Sequence, residues 1–180
     1  MLQQYANPAR FNSLVANLIP WFAWLAGIFI FVGLYFALLG SPPDYQQGET
    51  VRIMYIHVPS AWMALFVYAL IAGASAIGLI FKHPLAFLVA RAAAPIGASF
   101  TFICLLTGSL WGKPIWGVWW VWDARLTSVL ILFFLYLGFI ALIRAFENPV
   151  RGEISAAILS LVGIINLPII KFSVDWWNTL

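Results

Sequence analysis

The sequence predicts an all-α fold, a polytopic membrane helix bundle with five transmembrane helices in a single integral-membrane domain spanning residues 1–180. Three observations lead there. The chain is 64% hydrophobic and 8% charged, with a mean hydropathy of +0.98, which is not the composition of a soluble domain. It contains five apolar runs, each near the roughly 20 residues a helix needs to cross a bilayer. A polar break separates each run from the next.

Residues 1 to about 18 are mixed, with Pro8, Arg10 and an amphipathic trace in Phe11, Leu14, Val15 and Leu18, and read as a short interfacial lead-in. The first span runs from about Ile19 to Leu39, with Trp21 and Trp24 as interface anchors. This lead-in is too long for a cleavable signal, so the span is read as retained. Gly40-Ser41-Pro42-Pro43 ends it, because two prolines stop a helix. Asp44, Glu49 and Arg52 place the next loop in water. The second span starts near His57 and reaches Phe81, with Pro59 expected in its first turn, where a missing N–H costs nothing.

Lys82, His83, Pro84 and Arg91 form a basic turn, in which His83 reads as a solvated loop residue. The third span, about Leu85 to Thr107, carries the small-residue run Ala92 to Ser99, which suits close helix packing, and Pro95, which predicts a kink. Cys104, the single cysteine, reads as a small apolar packing residue. A tryptophan-rich loop, 111–125, follows. The fourth span covers about Leu126 to Phe146, and a charged turn from Arg144 to Glu153 leads into the fifth, about Ile154 to Phe172. Asn166 inside the fifth span must be paired, so it faces protein or a cavity. Lys171, Asp175 and Trp176-Trp177 make a second aromatic and charged cluster at the end.

Counting reversals puts the N-terminus, the 81–91 turn and the 144–153 turn on one face, with Arg10, Lys82, Arg91, Arg144 and Arg151. His57, the tryptophan loop and the Trp176-Trp177 cluster share the other, with Arg52, Lys113, Arg125 and Lys171. The first face carries the excess of cations and is read as cytoplasmic. Three of the four cations on the second face lie beside the candidate site.

Trp111 to Arg125 holds five of the ten tryptophans, at 111, 116, 119, 120 and 122, and closes on Asp123 and Arg125. Indole rings present flat apolar faces with one donor at the edge. Several of them beside Arg52, Lys113 and Arg125 suit a large planar ligand with anionic groups, such as a porphyrin with propionates. Tryptophan also collects at membrane–water boundaries, so an interfacial belt is the competing reading. His57 has two readings as well: an interfacial polar residue making one hydrogen bond, or an axial metal ligand, since a neutral imidazole is held in apolar surroundings without burying charge.

Much is excluded. Nine cations spread over the loops form no nucleic-acid patch, despite a net charge of +3. One cysteine builds neither a disulfide framework nor a thiolate cluster. The sequence contains no nucleophile elbow, phosphate-binding glycine loop or two-histidine zinc helix, so no hydrolytic machinery is read from it. A permease whose conduit runs among the spans predicts ionisable residues in the span interiors, which are almost absent. A structural subunit scaffolding a transporter is the other alternative.

Several words in the chain carry a resemblance: Tyr45-Gln46-Gln47-Gly48, His57-Val58-Pro59, Ala94-Pro95-Ile96-Gly97-Ala98, Gly108-Ser109, Trp111-Gly112-Lys113-Pro114, Trp119 through Thr127, Asn166-Leu167-Pro168-Ile169-Ile170, and Trp176-Trp177-Asn178-Thr179-Leu180. With these, nearly the whole chain resembles the haem-handling proteins of cytochrome c maturation, and among them the CcmC family with its tryptophan-rich WWD domain. The resemblance implies a multi-pass protein of the bacterial inner membrane, its N-terminus cytoplasmic and its tryptophan loop periplasmic. It implies haem b as cofactor and delivery of that haem to a periplasmic haem chaperone in c-type cytochrome biogenesis. The implied partners are the membrane and ATPase subunits of an ABC transporter and a small membrane subunit. His57 matches the first of two haem-ligating histidines, and the tryptophan domain matches the cradle between them. The second histidine is expected immediately after Leu180, and a sixth span is expected as well.

Overall fold

The computed structural model describes residues 8–176 and is helical almost throughout. Its elements are α1 (Pro8–Tyr35), continued by a π-helical turn (Phe36–Gly40), α2 (Val51–Phe81), α3 (Pro84–Trp116), α4 (Ala124–Ala145), α5 (Pro149–Gly163) and α6 (Asn166–Trp176). Among the described residues the one extended pairing is an isolated bridge between Asp44 and Gly48. Five stretches are long and apolar enough to cross a membrane, and α5 with α6 forms the fifth, Pro149–Ser173.

Helix ends follow local chemistry. Asp123 caps α4 by accepting from the Leu126 N–H at 2.6 Å, and Asn148 caps α5 by accepting from Val150 and Arg151. Pro84 and Pro149 open α3 and α5, where a missing N–H would have been unpaired anyway.

The bundle proper is α2 to α6. Helices α2 and α3 form the most extensive pair, α4 packs on α3 and α5, and α6 returns against α4. Small residues make this closeness possible: Ala90, Ala94 and Ala98 of α3 and Ala156 of α5 are buried. In a bilayer, where lipid is as apolar as the side chains, such close van der Waals contact is what holds helices together. At the centre Tyr68 and Tyr136 meet edge to face, 5.1 Å apart. The Tyr136 hydroxyl donates to the Ala64 carbonyl at 2.7 Å, which ties α4 to α2. Gly97 makes room for that ring, since a Cβ there would lie 2.2 Å from it.

Several polar groups inside are satisfied locally, while the Tyr68 and Ser75 hydroxyls meet no partner among the described residues. Thr101 donates back to the Gly97 carbonyl, and Ser160 to that of Ala157. Asn166 opens α6 after the break at 164–165 and donates to the Ser128 carbonyl at 2.8 Å, so it faces protein as expected.

Several boundaries differ from the sequence expectation. Helix α1 starts at Pro8, so the interfacial lead-in is part of the first helix. Helix α2 begins at Val51, which puts His57 and Pro59 inside the helix rather than at its mouth. The missing Pro59 N–H leaves the Tyr55 carbonyl without its helical partner. Helix α3 runs on to Trp116 through Pro114, so Trp111 to Trp116 are helical and the tryptophan loop shrinks to residues 117–123. His83 is half-buried, with its Nδ1 shielded and unpartnered, rather than solvated. The Trp176-Trp177 cluster lies outside the described residues except for the Trp176 backbone.

Candidate functional site

The N-terminal part of α2, the C-terminal part of α3, the start of α4 and one residue of α6 surround a cavity of about 300 Å³, at the small end of the ~300–1,000 Å³ usual for ligand sites. His57, Trp111, Trp116, Trp120 and Arg125 all line it. Four of these belong to one stretch of sequence, and only parity of the spans joined His57 to them. Met54, Cys104, Gly108 and Leu126 complete much of the wall.

His57 is held from α3. Its Nδ1 lies 3.1 Å from the Cys104 carbonyl and 3.0 Å from Thr107 Oγ1. A carbonyl only accepts, and the Thr107 hydroxyl donates to the Ile103 carbonyl at 2.6 Å. Nδ1 must therefore carry the proton and donate to both. That fixes the tautomer with the Nε2 lone pair free, the arrangement that second-shell acceptors impose on metal-ligating histidines. Gly108 lets α3 pass this close, since a Cβ there would lie 3.1 Å from His57 Cε1.

The indoles are placed individually. Trp111 and Trp116 meet at 87° with centroids 5.1 Å apart. The Trp111 Nε1–H donates to the Gln47 side-chain oxygen at 3.0 Å. Gln47 is itself positioned by a tight turn in which the Asp44 carboxylate accepts from the Gln46 and Gln47 N–H groups, each at 2.8 Å. Trp120 contacts Trp122 edge-on at 5.6 Å. Among the described residues its buried Nε1–H meets no acceptor, an arrangement that costs free energy until something accepts from it.

The remaining candidates sit elsewhere. The Arg52 guanidinium is engaged by Glu49 and by the Leu38 carbonyl, which binds the start of α2 to the end of the first span. Lys113 donates to the Gly117 carbonyl at 2.9 Å and stands 5.8 Å over the Trp119 ring. Trp119 and Trp122 are 56% and 75% exposed, as an interfacial belt requires. Asp123 is buried as the α4 cap. None of these five lines the cavity. Sequence reasoning missed Gln47, Cys104 and Thr107 as positioning groups. Cys104, Thr107, Gly108 and Trp111 follow i, i+3, i+4, i+7 spacing, one helix face leading to the tryptophans.

A free imidazole nitrogen, three indoles, an unmatched indole N–H and a guanidinium define the chemistry this cavity accepts. Among the described residues no group of three His, Cys, Asp or Glu converges to hold a bare metal ion. A metal that brings its own equatorial ligands needs only one axial base from the protein. The residues present fit a haem: an axial nitrogen, aromatic faces for the macrocycle, and two donors for carboxylates.

A family profile described as Heme exporter protein C, CcmC, matches residues 1–180. The chain belongs to this family. It is 61% identical over 175 residues to the Heme exporter protein C of Bradyrhizobium diazoefficiens, covering 97% of this chain and 66% of that protein. Against the protein of the same name from Escherichia coli K12, identity is 51% over 179 residues, covering 99% of this chain and 73% of the relative. A putative cytochrome c biosynthesis ccmC-like mitochondrial protein of Marchantia polymorpha is 53% identical over 149 residues, 83% of this chain and 63% of that one. The chain thus spans about two thirds to three quarters of the length of its bacterial CcmC relatives.

Proposed function

We propose that this CcmC-family chain holds haem b in the His57 cavity, at the periplasmic face of the bacterial inner membrane, and presents it for transfer to a periplasmic haem chaperone in c-type cytochrome biogenesis. The observation that carries the reading is the tautomer lock on His57, which leaves Nε2 as a neutral base beside three indoles. When bound, haem supplies an iron that takes this nitrogen and carboxylates that take N–H donors. His57 would supply the nitrogen to the iron, Trp111, Trp116 and Trp120 would line the macrocycle, and Arg125 with the Trp120 N–H would receive a propionate. Arg52, Lys113, Trp119, Trp122 and Asp123 act around this centre, as belt, rim and scaffold.

Burying roughly 200 Å² of macrocycle at ~25 cal/mol per Å² gives about 5 kcal/mol before association costs. Binding of that order is reversible, as a carrier that passes its ligand on requires. Within this reading the partners are the membrane and ATPase subunits of an ABC transporter, a small membrane subunit and the chaperone. A scaffolding role has one observation in its favour: α1 is apolar and exposed along its described length, and it faces α2 and α3 across an open groove of about 730 Å³.

The test is an absorption spectrum of detergent-purified protein, oxidised and reduced. Discrete haem bands that shift or vanish in His57→Ala are expected. Bands unchanged by His57→Ala would remove the ligand role. Normal haem content in tryptophan variants that have lost transporter binding would favour the scaffold.

A further inference from the structure

At the end of the bundle away from His57, Arg91 of α3 and Arg144 of α4 line one cleft of about 110 Å³ together with Pro95, Ile140 and Ile143. Neither guanidinium has a hydrogen bond or ion pair among the described residues, whose ion pair, Arg52 with Glu49, lies at the opposite end of the bundle. Two unpaired cations on adjacent helices, with no carboxylate in the cleft wall, suit an anion. The remaining wall is hydrocarbon, which free phosphate does not need.

That hydrocarbon continues. One turn on from Pro95, a groove of about 400 Å³ lies along the same α3–α4 seam, lined by Ala98, Ser99, Phe102, Ile103 and Phe133. Pro95, Ser99 and Phe102 follow i, i+4, i+7 on α3, while Ile140 and Phe133 are seven apart on α4, so the cleft and groove share a face of each helix. The Ser99 hydroxyl is turned back onto the Pro95 carbonyl at 2.8 Å, so the groove meets its small carbon stem. From Arg91 to Phe102 the helix advances about 16 Å at ~1.5 Å per residue. That is about half of a hydrocarbon core ~30 Å thick, the depth of one leaflet.

We propose that this seam is a binding site for one anionic phospholipid, with its phosphate on Arg91 and Arg144 and an acyl chain along Ala98, Ser99 and Phe102. The two arginines select charge and the groove selects an attached chain. The site is separate from the haem cavity and does not rest on that reading.

Native mass spectrometry of the full chain in detergent micelles doped with equimolar phosphatidylglycerol and phosphatidylcholine tests this. One retained phosphatidylglycerol is expected. At about a fivefold contribution per arginine near an anionic headgroup, Arg91→Gln weakens retention about fivefold, and Arg91→Gln with Arg144→Gln about thirtyfold. Ser99→Trp, which fills the groove and keeps both cations, should also abolish retention, and Ser99→Leu, the smaller change that stands in where Trp disturbs folding, should weaken it. Circular dichroism and gel filtration check that each variant remains folded. Retention unchanged in the double arginine variant overturns the proposal. So does displacement of the lipid by inorganic phosphate with Ser99→Trp indifferent, which would make this a phosphate site. Equimolar displacement by haem would make it a second haem site and overturn it equally.

Discussion

The tryptophan stretch has two sides that composition does not distinguish. Trp111, Trp116 and Trp120 line the His57 cavity, while Trp119 and Trp122, as close in sequence, stand mostly in the surroundings. The cations divide the same way: Arg125 lines the cavity and Lys113 lies over Trp119 on the outer side. Under the proposed function the inner rings are the ligand platform and the outer rings the interfacial belt. Counting tryptophans does not sort them, and the direction of each ring says which of them line the cavity.

The comparison breaks most sharply if an inner indole is dispensable. Truncating a large buried aromatic at the centre of a binding surface commonly costs 2 kcal/mol or more, about a thirtyfold loss of affinity. Trp116→Ala and Trp120→Ala should each lower haem affinity by at least about that factor, measured by haem titration of the apoprotein. Trp120→Phe separates the ring from its donor. If the unpartnered Nε1–H meets a propionate, losing that charge-assisted hydrogen bond alone weakens binding about tenfold or more.

The next effect acts through His57 rather than on the ligand. Thr107→Val removes one of two acceptors from Nδ1–H and leaves the Cys104 carbonyl. Outer-shell changes of this kind cost about tenfold or more in metal affinity. Thr107→Val should weaken axial ligation by about tenfold and shift the haem reduction potential. Thr107→Ser should restore both. A potential that does not move would show that Thr107 only packs.

Asp123 tests the boundary between fold and site. It caps α4 from a buried position one residue before Ala124 and two before Arg125. Asp123→Ala should lower thermal stability by about 1 kcal/mol, the usual cost of losing a helix cap, while Asp123→Asn, which keeps an acceptor, recovers most of it. The haem spectrum of the Asn variant should match that of the parent. A spectrum lost in Asp123→Asn with stability retained would make the carboxylate part of the site.

Much of this was legible in the residues. Five apolar runs with proline-rich and charged breaks gave five spans, because crossing a bilayer imposes a length and a composition that nothing else in a small chain requires. Reversal counting put His57 beside the tryptophans, and the cavity joins them. The end of α3 was not legible: Gly112, Lys113 and Pro114 have the composition of a loop, yet the helix continues through them to Trp116. Helix propensity is a weak prior that tertiary contact overrides, and Gln47 holds Trp111 from outside. Thr107 and Cys104 went unread as positioning groups because their part is played across 47 to 50 residues of sequence, by a hydroxyl and a backbone carbonyl that look like ordinary packing. Asn166 was legible because an unpaired amide at that depth is too costly to leave.

The smallest effect sharpens the comparison most. Trp122 is 75% exposed. Its one described ring partner is Trp120, on the outer side of the cavity wall. If the outer face is a belt, Trp122→Ala and Trp119→Ala leave haem affinity within about threefold, since surface substitutions away from such features usually fall within ~0.5 kcal/mol. The same variants should loosen the placement of this end of the bundle at the headgroup level, where an indole is at home. A fluorescence probe near Trp122, quenched by lipids labelled at known depth, reads that placement directly. A haem affinity that falls as far for Trp122→Ala as for Trp120→Ala would mean the outer ring swings inward when ligand binds. The division between the two faces would then describe the resting arrangement and not the loaded one.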